Sequence, residues 1–592
     1  MDYQLKESLL PKLSNYTTVE QVFAARGIAP ENIEHYLNVS DKDVLSCSLM
    51  DNIDLGIKML MSHIKNKDSI CLICDCDVDG FTSAALLINY LNCLFPGYTQ
   101  NYISYRLHSG KQHGIEENFI QDFIEAGYKL ILCPDSASND YKQHKELKEA
   151  GIDVLVLDHH NAEKVSEDAC IINNQLCEYP NKTLSGVGVV YKFCCRMDEI
   201  IGCNFAEQFL DLVAVGAISD MMDIRNYETK YFINQGLDNI NNPFIKEMVK
   251  VQDYSISRAG GLCPFAVSFY IAPQVNGTIR MGNLAEKTLL FESMLDFKAY
   301  DRIPSTKRGC KGQYETRVEQ ACRNCTNIKR NQSKAIDESL EVIENVIQEK
   351  QLTQNKIIAV KLDKNHLINR NLTGLIANQL MSKYQHPILI LTEVDLDNGE
   401  ISWEGSGRGY ETSNFNDLRS FVKESEYASL AEGHAQAFGV AIPQSNFKNF
   451  IEYSNKALEN CSFDPCIKVD FIWHNYDFSQ QDVIDLAQLD SVWGQELEKP
   501  YVAIENITIQ PKDVFLMSKD KNPTLKIELS NGVSLIKFKS SEEEFNELTK
   551  YPSGSVNITI VGTCKINEWN GIISPQIEIK QYEIIGETKY YF

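Results

Sequence analysis

No part of this 592-residue chain holds an uninterrupted apolar run of about 18 residues, which excludes a membrane-spanning helix. The N-terminus, MDYQLKESLLPKL, lacks the apolar core of a secretion signal. Internal repeats and low-complexity segments are missing as well, so solenoid and linker-like classes are set aside. Positive charge is scarce: 57 Lys and Arg stand against 81 Asp and Glu, a net −24. A protein that coats nucleic acid nonspecifically is usually basic, so contact with nucleic acid has to come from local patches or bound cations. The 18 cysteines are scattered singly through apolar stretches. With no secretion signal, they read as reduced thiols of a cytoplasmic protein. The helix-compatible CxxC, Cys322/Cys325 with Cys310 upstream, has no fourth ligand at close spacing, so a zinc or iron–sulfur site is not expected.

What is present is ordinary globular composition, 43% hydrophobic and 23% charged, in a length that suits several domains. Residues 1–60 read as short helices. From 68 to 200, apolar strands alternate with amphipathic helices. The strands are SICLICD (69–75), NYISYR (101–106), KLILCPD (129–135) and DVLVLD (153–158). Helices are expected at 82–95, 115–127 and 141–151, giving βαβ units and a mostly parallel sheet. Residues 200–345 read as largely helical, ending in a long helix around 317–350. A second α/β block follows at 355–455. The last segment, from 466, is strand-rich, with Asn531-Gly532 suited to a type I′ hairpin, and suggests a small β-barrel.

The acids fall at strand ends. The first strand runs into Asp75-Cys76-Asp77-Val78-Asp79-Gly80, the third ends at Asp135, and the fourth at Asp158-His159-His160. In an open parallel sheet the strand C-termini share one edge, where sites form. Three acidic clusters distant in sequence therefore converge on one crevice. Asp220, after the apolar run of LDLVAVGAISDMMDI, is a fourth candidate; Asp223 beside it reads as a solvated or helix-terminal acid. Crowded carboxylates repel one another, and some would protonate if left unpaired. Divalent cations remove that cost, and oxygen-rich ligation with imidazole suits Mn²⁺ or Mg²⁺. Two such ions about 3.5–4 Å apart stabilise both oxygens of an in-line phosphoryl displacement. Singly, the pieces have plainer readings: Asp135 as a turn or cap residue, His159-His160 as a capped loop. DxDxDG also opens an EF-hand calcium loop, but that loop needs Glu at its twelfth position, which counted from Asp75 is Leu86.

DCDVDG, the Asp135 segment, DHH and GAISD together resemble the four motifs of the DHH phosphoesterase superfamily. KTLSGVGVVYKF (182–193), FYIAPQVNGTIRMG (269–282), GSGRG (405–409), EGHAQAFGVAI (432–442) and INEWNGIISPQIEI (566–579) resemble stretches of the RecJ-type single-strand-specific exonucleases, in that family's order. The resemblance implies an α/β architecture. On that resemblance a parallel-sheet DHH domain with an N-terminal helical segment would span 1–235, a helical connector 236–350, an α/β DHHA1 domain 351–455 and an OB-type β-barrel 466–592. It implies metal-dependent 5′-to-3′ hydrolysis of single-stranded DNA to nucleoside 5′-monophosphates, in repair or recombination. Two divalent cations, Mn²⁺ or Mg²⁺, would serve as cofactors. Asp77, Asp79, Asp135, His159 and Asp220 would be metal ligands, with Asp135 bridging. Asp75 would be a ligand or a supporting acid, and His160 would contact the scissile phosphate or support the leaving group. Asp158 would orient His159. Ser406, Arg408 and His434 would hold the 5′-terminal phosphate; Asn276 and Arg280 would contact the DNA backbone, and Arg106 sits where a phosphate-binding arginine is expected. The chain departs from the family with Ile73-Cys74 in place of His-Gly, Cys76 for an aromatic residue, and Ser-Ala-Ser after Asp135, yet keeps every principal ligand.

Read directly, GSGRG offers a bidentate guanidinium between glycines that let the backbone approach a phosphate, or else a flexible turn. Residues 301–330 carry eight Lys/Arg (Arg302, Lys307, Arg308, Lys311, Arg317, Arg323, Lys329, Arg330) against three acids, either a channel wall or a solvated face. Residues 501–592 hold ten Lys, no Arg and twelve acids, which does not recommend the C-terminal segment as a strong DNA binder. Trp569 could stack on a base or pack on the barrel. Single-stranded DNA is the expected partner of a monomeric protein, with a single-strand-binding protein or a helicase as further candidates. The competing readings are a DHH phosphodiesterase of short oligonucleotides or RNA, and a catalytically inactive replication scaffold.

Overall fold

The computed structural model describes residues 1–12, 15–110, 112–364, 368–396, 398–410, 415–463, 466–475, 477–518, 522–550, 554–569 and 571–589. It divides into two compact units, one of Met1–Leu5 with Arg330–Lys468, the other of Lys6–Lys329 with Val469–Phe592.

The larger unit is built on a five-stranded parallel sheet of β1 (Ile70–Cys74), β2 (Ile103–Leu107), β3 (Leu130–Pro134), β4 (Asp153–Asp158) and β5 (Cys170–Asn173), in spatial order β2-β1-β3-β4-β5. Central strands covered on both faces must be apolar throughout, and all five residues of β1 and of β3 are buried. Alternate side chains serve opposite faces. Leu72, Leu132, Leu155 and Leu157 join the main core, whereas Ile73, Ile131, Val154 and Val156 pack with Phe119 and Phe123 in a second cluster. The main core is formed with α1 (Val78–Leu94), α2 (Gly186–Ile201) and α3 (Leu210–Ser219), the last almost wholly buried. The region after residue 200 is helical as expected, and includes α4 (Ala272–Met281), preceded by one π-helical turn at Val267–Ile271. A small antiparallel pair, Arg302–Pro304 with Tyr314–Thr316, interrupts it. The long helix α5 runs from Arg317 to Glu349, and its Cys322 and Cys325 are buried in the hydrophobic core.

The smaller unit holds β6 (Ile358–Leu362), α6 (Thr373–Tyr384), β7 (Ile388–Asp395), β8 (Ile401–Arg408), β9 (Leu430–His434) and β10 (Ala437–Pro443), with strand order β9-β10-β8-β7-β6. Only β6 and β7 pair in parallel; the others are antiparallel.

The C-terminal part of the larger unit is a seven-stranded sheet of β11 (Phe471–His474), β12 (Val502–Ile509), β13 (Val514–Met517), β14 (Thr524–Glu528), β15 (Ser534–Phe538), β16 (Gly554–Trp569) and β17 (Ile572–Lys589). Its order is β11-β12-β16-β17-β15-β14-β13, so the pairing described ends in two edge strands and does not close the expected barrel. The β14–β15 hairpin also differs from expectation. Its turn runs Leu529–Gly532, closed by the Gly532 N–H on Leu529 O, and only Gly532 is left-handed (φ 82°). A type I′ turn needs positive φ at both central residues. Asn531 instead uses its side chain, accepting from Val533 N–H and donating to Phe478 O. The side chain of Trp569 lies outside the described residues.

Candidate metal centre

The strand ends deliver their acids to one place. After β1 the chain turns into α1, and Asp77 caps that helix by accepting the Gly80 N–H at 2.9 Å. Asp79 follows in the first helical turn. Its carboxylate faces the start of α2, accepting N–H groups of Gly186 (2.7 Å) and Val187 (3.2 Å), as favoured by the positive end of a helix. Asp135, just past β3, is held at φ 65° with its N–H on Leu157 O. Asp220 is the C-cap of α3.

His159 Nε2 lies 3.3 Å from Asp135 Oδ1, 3.3 Å from Asp220 Oδ2 and 3.9 Å from Asp79 Oδ2. Ligand-type atoms of Asp75, Asp77 and Asp135 cluster within 4.8 Å, as do those of Asp79, His159 and Asp220, and those of Asp135, His159 and His160. Asp135 thus belongs to two of these groups. All five residues expected as metal ligands converge, and Asp75 joins them.

Electrostatics show the strain of that convergence. Burial, then mutual repulsion, pushes Asp77 and Asp135 upward. Burial raises Asp79 to about 6 against the two amides it accepts, and raises Asp220 to about 8 with help from Asp79 and Asp77. Burial also lowers His159 to about 4, so its imidazole is neutral and able to ligate. Asp135 Oδ1 and His159 Nε2 are buried and have no hydrogen-bond partner. Two buried orphan atoms among raised carboxylates fit a cation-binding site, with the hard oxygen and imidazole donors of Mn²⁺ or Mg²⁺.

Asp158 does not orient the ring of His159. Its Oδ1 accepts from the His160 Nδ1 at 2.8 Å and from both histidine backbone amides, while Oδ2 accepts from the Ser138 N–H. The tight turn at 158–160 folds His160, not His159, back onto the carboxylate. His160 is held up at about 9 by that hydrogen bond, and Asp158, despite its burial, is held well below the usual carboxylate range by His160.

Other expected residues fall elsewhere. Arg106 is paired with Asp122 and lies over the Phe119 ring, so it is engaged away from the acids. Asp223 is ion-paired with Arg225 rather than merely solvated. Asn276 is half-buried on α4 with Oδ1 lacking a partner, and Arg280 is exposed one helical turn later. Ser406, Arg408 and His434 belong to the other compact unit. There Arg408 pairs with Ala437, which pairs in turn with His434, so the three occupy one cross-strand row and one face. Ser406 Oγ meets Thr373 Oγ1 at 2.9 Å at the N-terminus of α6, and a Cβ on Gly374 would come within 2.7 Å of Arg408 Nη2. In the basic segment, Lys307 and Arg323 converge on Glu315, and Arg317 pairs with Asp301 and Glu292.

Sequence reading missed His113 and His108. His113 Nδ1 is 2.6 Å from Asp75 Oδ2, which raises it to about 11, and buried His108 reaches Asp75 at 4.0 Å. Both follow β2, so the strand-end rule applied to β1, β3 and β4 could have found them. Gly186 was also missed: a Cβ there would lie 2.1 Å from Asp135 Oδ1.

A parallel sheet whose strand ends gather carboxylates around an Asp-His-His turn defines a DHH-type phosphoesterase domain. The family model described as "DHH family, N-terminal domain" matches residues 69–217, and that of the "RecJ OB domain" matches 469–581. Across its length, the chain is 34% identical to YorK, the SPbeta-prophage protein of Bacillus subtilis strain 168 named as a single-strand DNA-specific exonuclease, covering 96% of both. It is 25% identical to the single-stranded-DNA-specific exonuclease RecJ of the same species, over 98% of this chain and 69% of that one. The crystal structure of RecJ with Mn²⁺ from Thermus thermophilus superposes with a TM-score of 0.71 at 16% identity, covering 99% of this chain and 80% of that one. The chain belongs to the RecJ-type single-strand-DNA-specific exonuclease family of DHH phosphoesterases.

Proposed function

We propose that this protein is a metal-dependent exonuclease that hydrolyses single-stranded DNA from the 5′ end to nucleoside 5′-monophosphates, in DNA repair or recombination in the cytoplasm. The observation that carries the reading is that Asp135 belongs to two of the ligand groups, one with Asp75 and Asp77 and one with His159 and His160, with its Oδ1 buried and without a hydrogen bond. Asp75, Asp77 and Asp135 would hold one cation and Asp79, Asp135, His159 and Asp220 the other. When bound, the cations would neutralise the carboxylates and the phosphodiester and activate water at the centre.

The chain's own side chains do the rest. Asp158 fixes His160 through Nδ1, leaving the far ring nitrogen to meet the scissile phosphate or the leaving oxygen. Asn276 and Arg280, one turn apart on α4, would contact the backbone next to that bond. In the other unit, Ser406, Arg408 and His434 would take the terminal phosphate at the start of α6, where helix N–H groups favour an anion. The domains would run 1–235, 236–350, 351–455 and 466–592.

The test is a digestion series with Mn²⁺ on 5′- and 3′-labelled single strands, duplex and RNA, comparing wild type with Asp135→Ala. Mononucleotides should appear first from the 5′ end of single-stranded DNA, and the substitution should abolish them. Release starting at the 3′ end, or full activity in the variant, contradicts the assignment.

A further inference from the structure

A cavity of about 520 Å³ opens beside the metal centre, within the size range of small-ligand sites. Its walls include both chain neighbours of Asp220, Ser219 and Met221, and Asn276 of α4. Met221 is held left-handed (φ 56°) with its side chain 62% exposed. An L-residue rarely adopts that conformation, and such residues cluster at functional sites.

The chemistry of the walls is apolar and aromatic. Phe265 and Phe269 stack with ring centroids 4.4 Å apart at 29°, yet remain 45% and 62% exposed. Phe269 sits on the π-helical turn Val267–Ile271, a distortion found often at functional sites. Two further wall residues contribute buried polar atoms without partners, Trp493 Nε1 and Asn276 Oδ1. The charged wall residues, Glu498 and Lys499, are of opposite sign and engaged by Lys6 and Asp490 respectively, so the cavity is not built for a phosphate. An exposed pair of π-faces in an apolar wall suits a flat heteroaromatic ring.

We propose that this cavity seats a nucleobase of the bound strand, stacked on the Phe265–Phe269 pair next to the scissile phosphate. The inference rests on the nuclease reading above and adds a positioning site to it. Holding the base fixes the nucleotide whose phosphate faces Asp220, and stacking accepts any base because each has a π-face.

The experiment uses the full chain with Mn²⁺ on 5′-phosphorylated single strands carrying one abasic residue at the first, second or third position. Wild type should slow roughly 5- to 100-fold in kcat/KM at one of these positions. Phe269→Ala and Phe265→Ala should slow cleavage of the unmodified strand to a similar degree and respond little further to the abasic residue. Phe269→Tyr should restore both the rate and the discrimination. Because both rings are exposed, melting temperatures should stay near wild type. A wild type that degrades DNA but ignores abasic residues overturns the base site alone. Absence of nucleotide release from every single strand overturns the nuclease reading and this site with it. Alanine variants that keep the wild-type abasic penalty, or that change only the sedimentation mass, assign the phenylalanines to packing or to contact with a second copy and overturn the proposal.

Discussion

Asp135 is crowded from every side, and the crowding is selective. Its backbone is left-handed, its Oδ1 is buried without a partner, and Gly186 approaches so closely that any side chain there would collide with the carboxylate. Gly216 stands in the same relation to Asp79 Oδ1 at 2.5 Å. These glycines are needed for the space they leave around a carboxylate. Gly186→Ala should therefore leave the fold intact but displace Asp135. We expect kcat to fall roughly 100-fold, the loss typical of a catalytic group misplaced by about an ångström. The Mn²⁺ concentration for half-maximal rate should rise. Steady-state kinetics across a Mn²⁺ titration, with circular dichroism as the folding control, checks this.

Each element contributes through one of its ends. Strands β1 and β3 are apolar throughout and β4 is apolar from Val154 to Leu157, and an acid follows or ends each, because the carboxyl edge of the sheet is where the chain leaves the core. Helix N-termini supply complementary amides: α1 is capped by Asp77 and α2 receives Asp79. The start of α6 repeats the theme with opposite charge, gathering Ser406 and Arg408 near Thr373 and Gly374. If Arg408 holds the terminal phosphate as proposed, a planar fork matters more than charge alone, since lysine cannot replace bidentate contact. Arg408→Lys should lower the preference for 5′-phosphorylated over 5′-hydroxyl ends by about 10-fold or more while sparing the fold, given that charged hydrogen bonds contribute about 1.5–3 kcal/mol. The ratio of kcat/KM on the two kinds of end measures it, and an unchanged ratio would remove Arg408 from the end-binding site.

Across the whole molecule, acidity and metal dependence are linked. Without cations, the folded protein keeps protons on Asp79 (about 6), Asp220 (about 8), Asp77 and Asp135 that an unfolded chain releases near pH 4. Where the unfolded state binds fewer protons, stability falls as pH rises. This contribution is intact below about pH 4 and is lost progressively up to about pH 8. The EDTA-treated protein should melt lower at pH 8 than at pH 5, by roughly 5 °C or more. Saturating Mn²⁺ should raise the melting temperature most at the higher pH, because ligands must be deprotonated to bind. Asp135→Asn, which removes the central charge, should flatten the metal-free decline. Thermal melts at the two pH values with and without Mn²⁺ decide it.

Much of this was already legible along the chain. Apolar strands alternating with amphipathic helices, and the acids after β1, β3 and β4, placed the parallel sheet and its acidic edge without coordinates, because local hydrophobic pattern and strand ends depend on near neighbours. Residue types also fixed the chemistry, since clustered carboxylates with an imidazole have few stable solutions besides cations. Contacts between distant segments were not legible. That His113 reaches Asp75, that Gly186 makes room for Asp135, and that the C-terminal strands pair in an open order all depend on backbone paths that only packing selects. A side chain's type is written locally, whereas its partner is decided by which of many distant groups the folded core brings within about 3 Å.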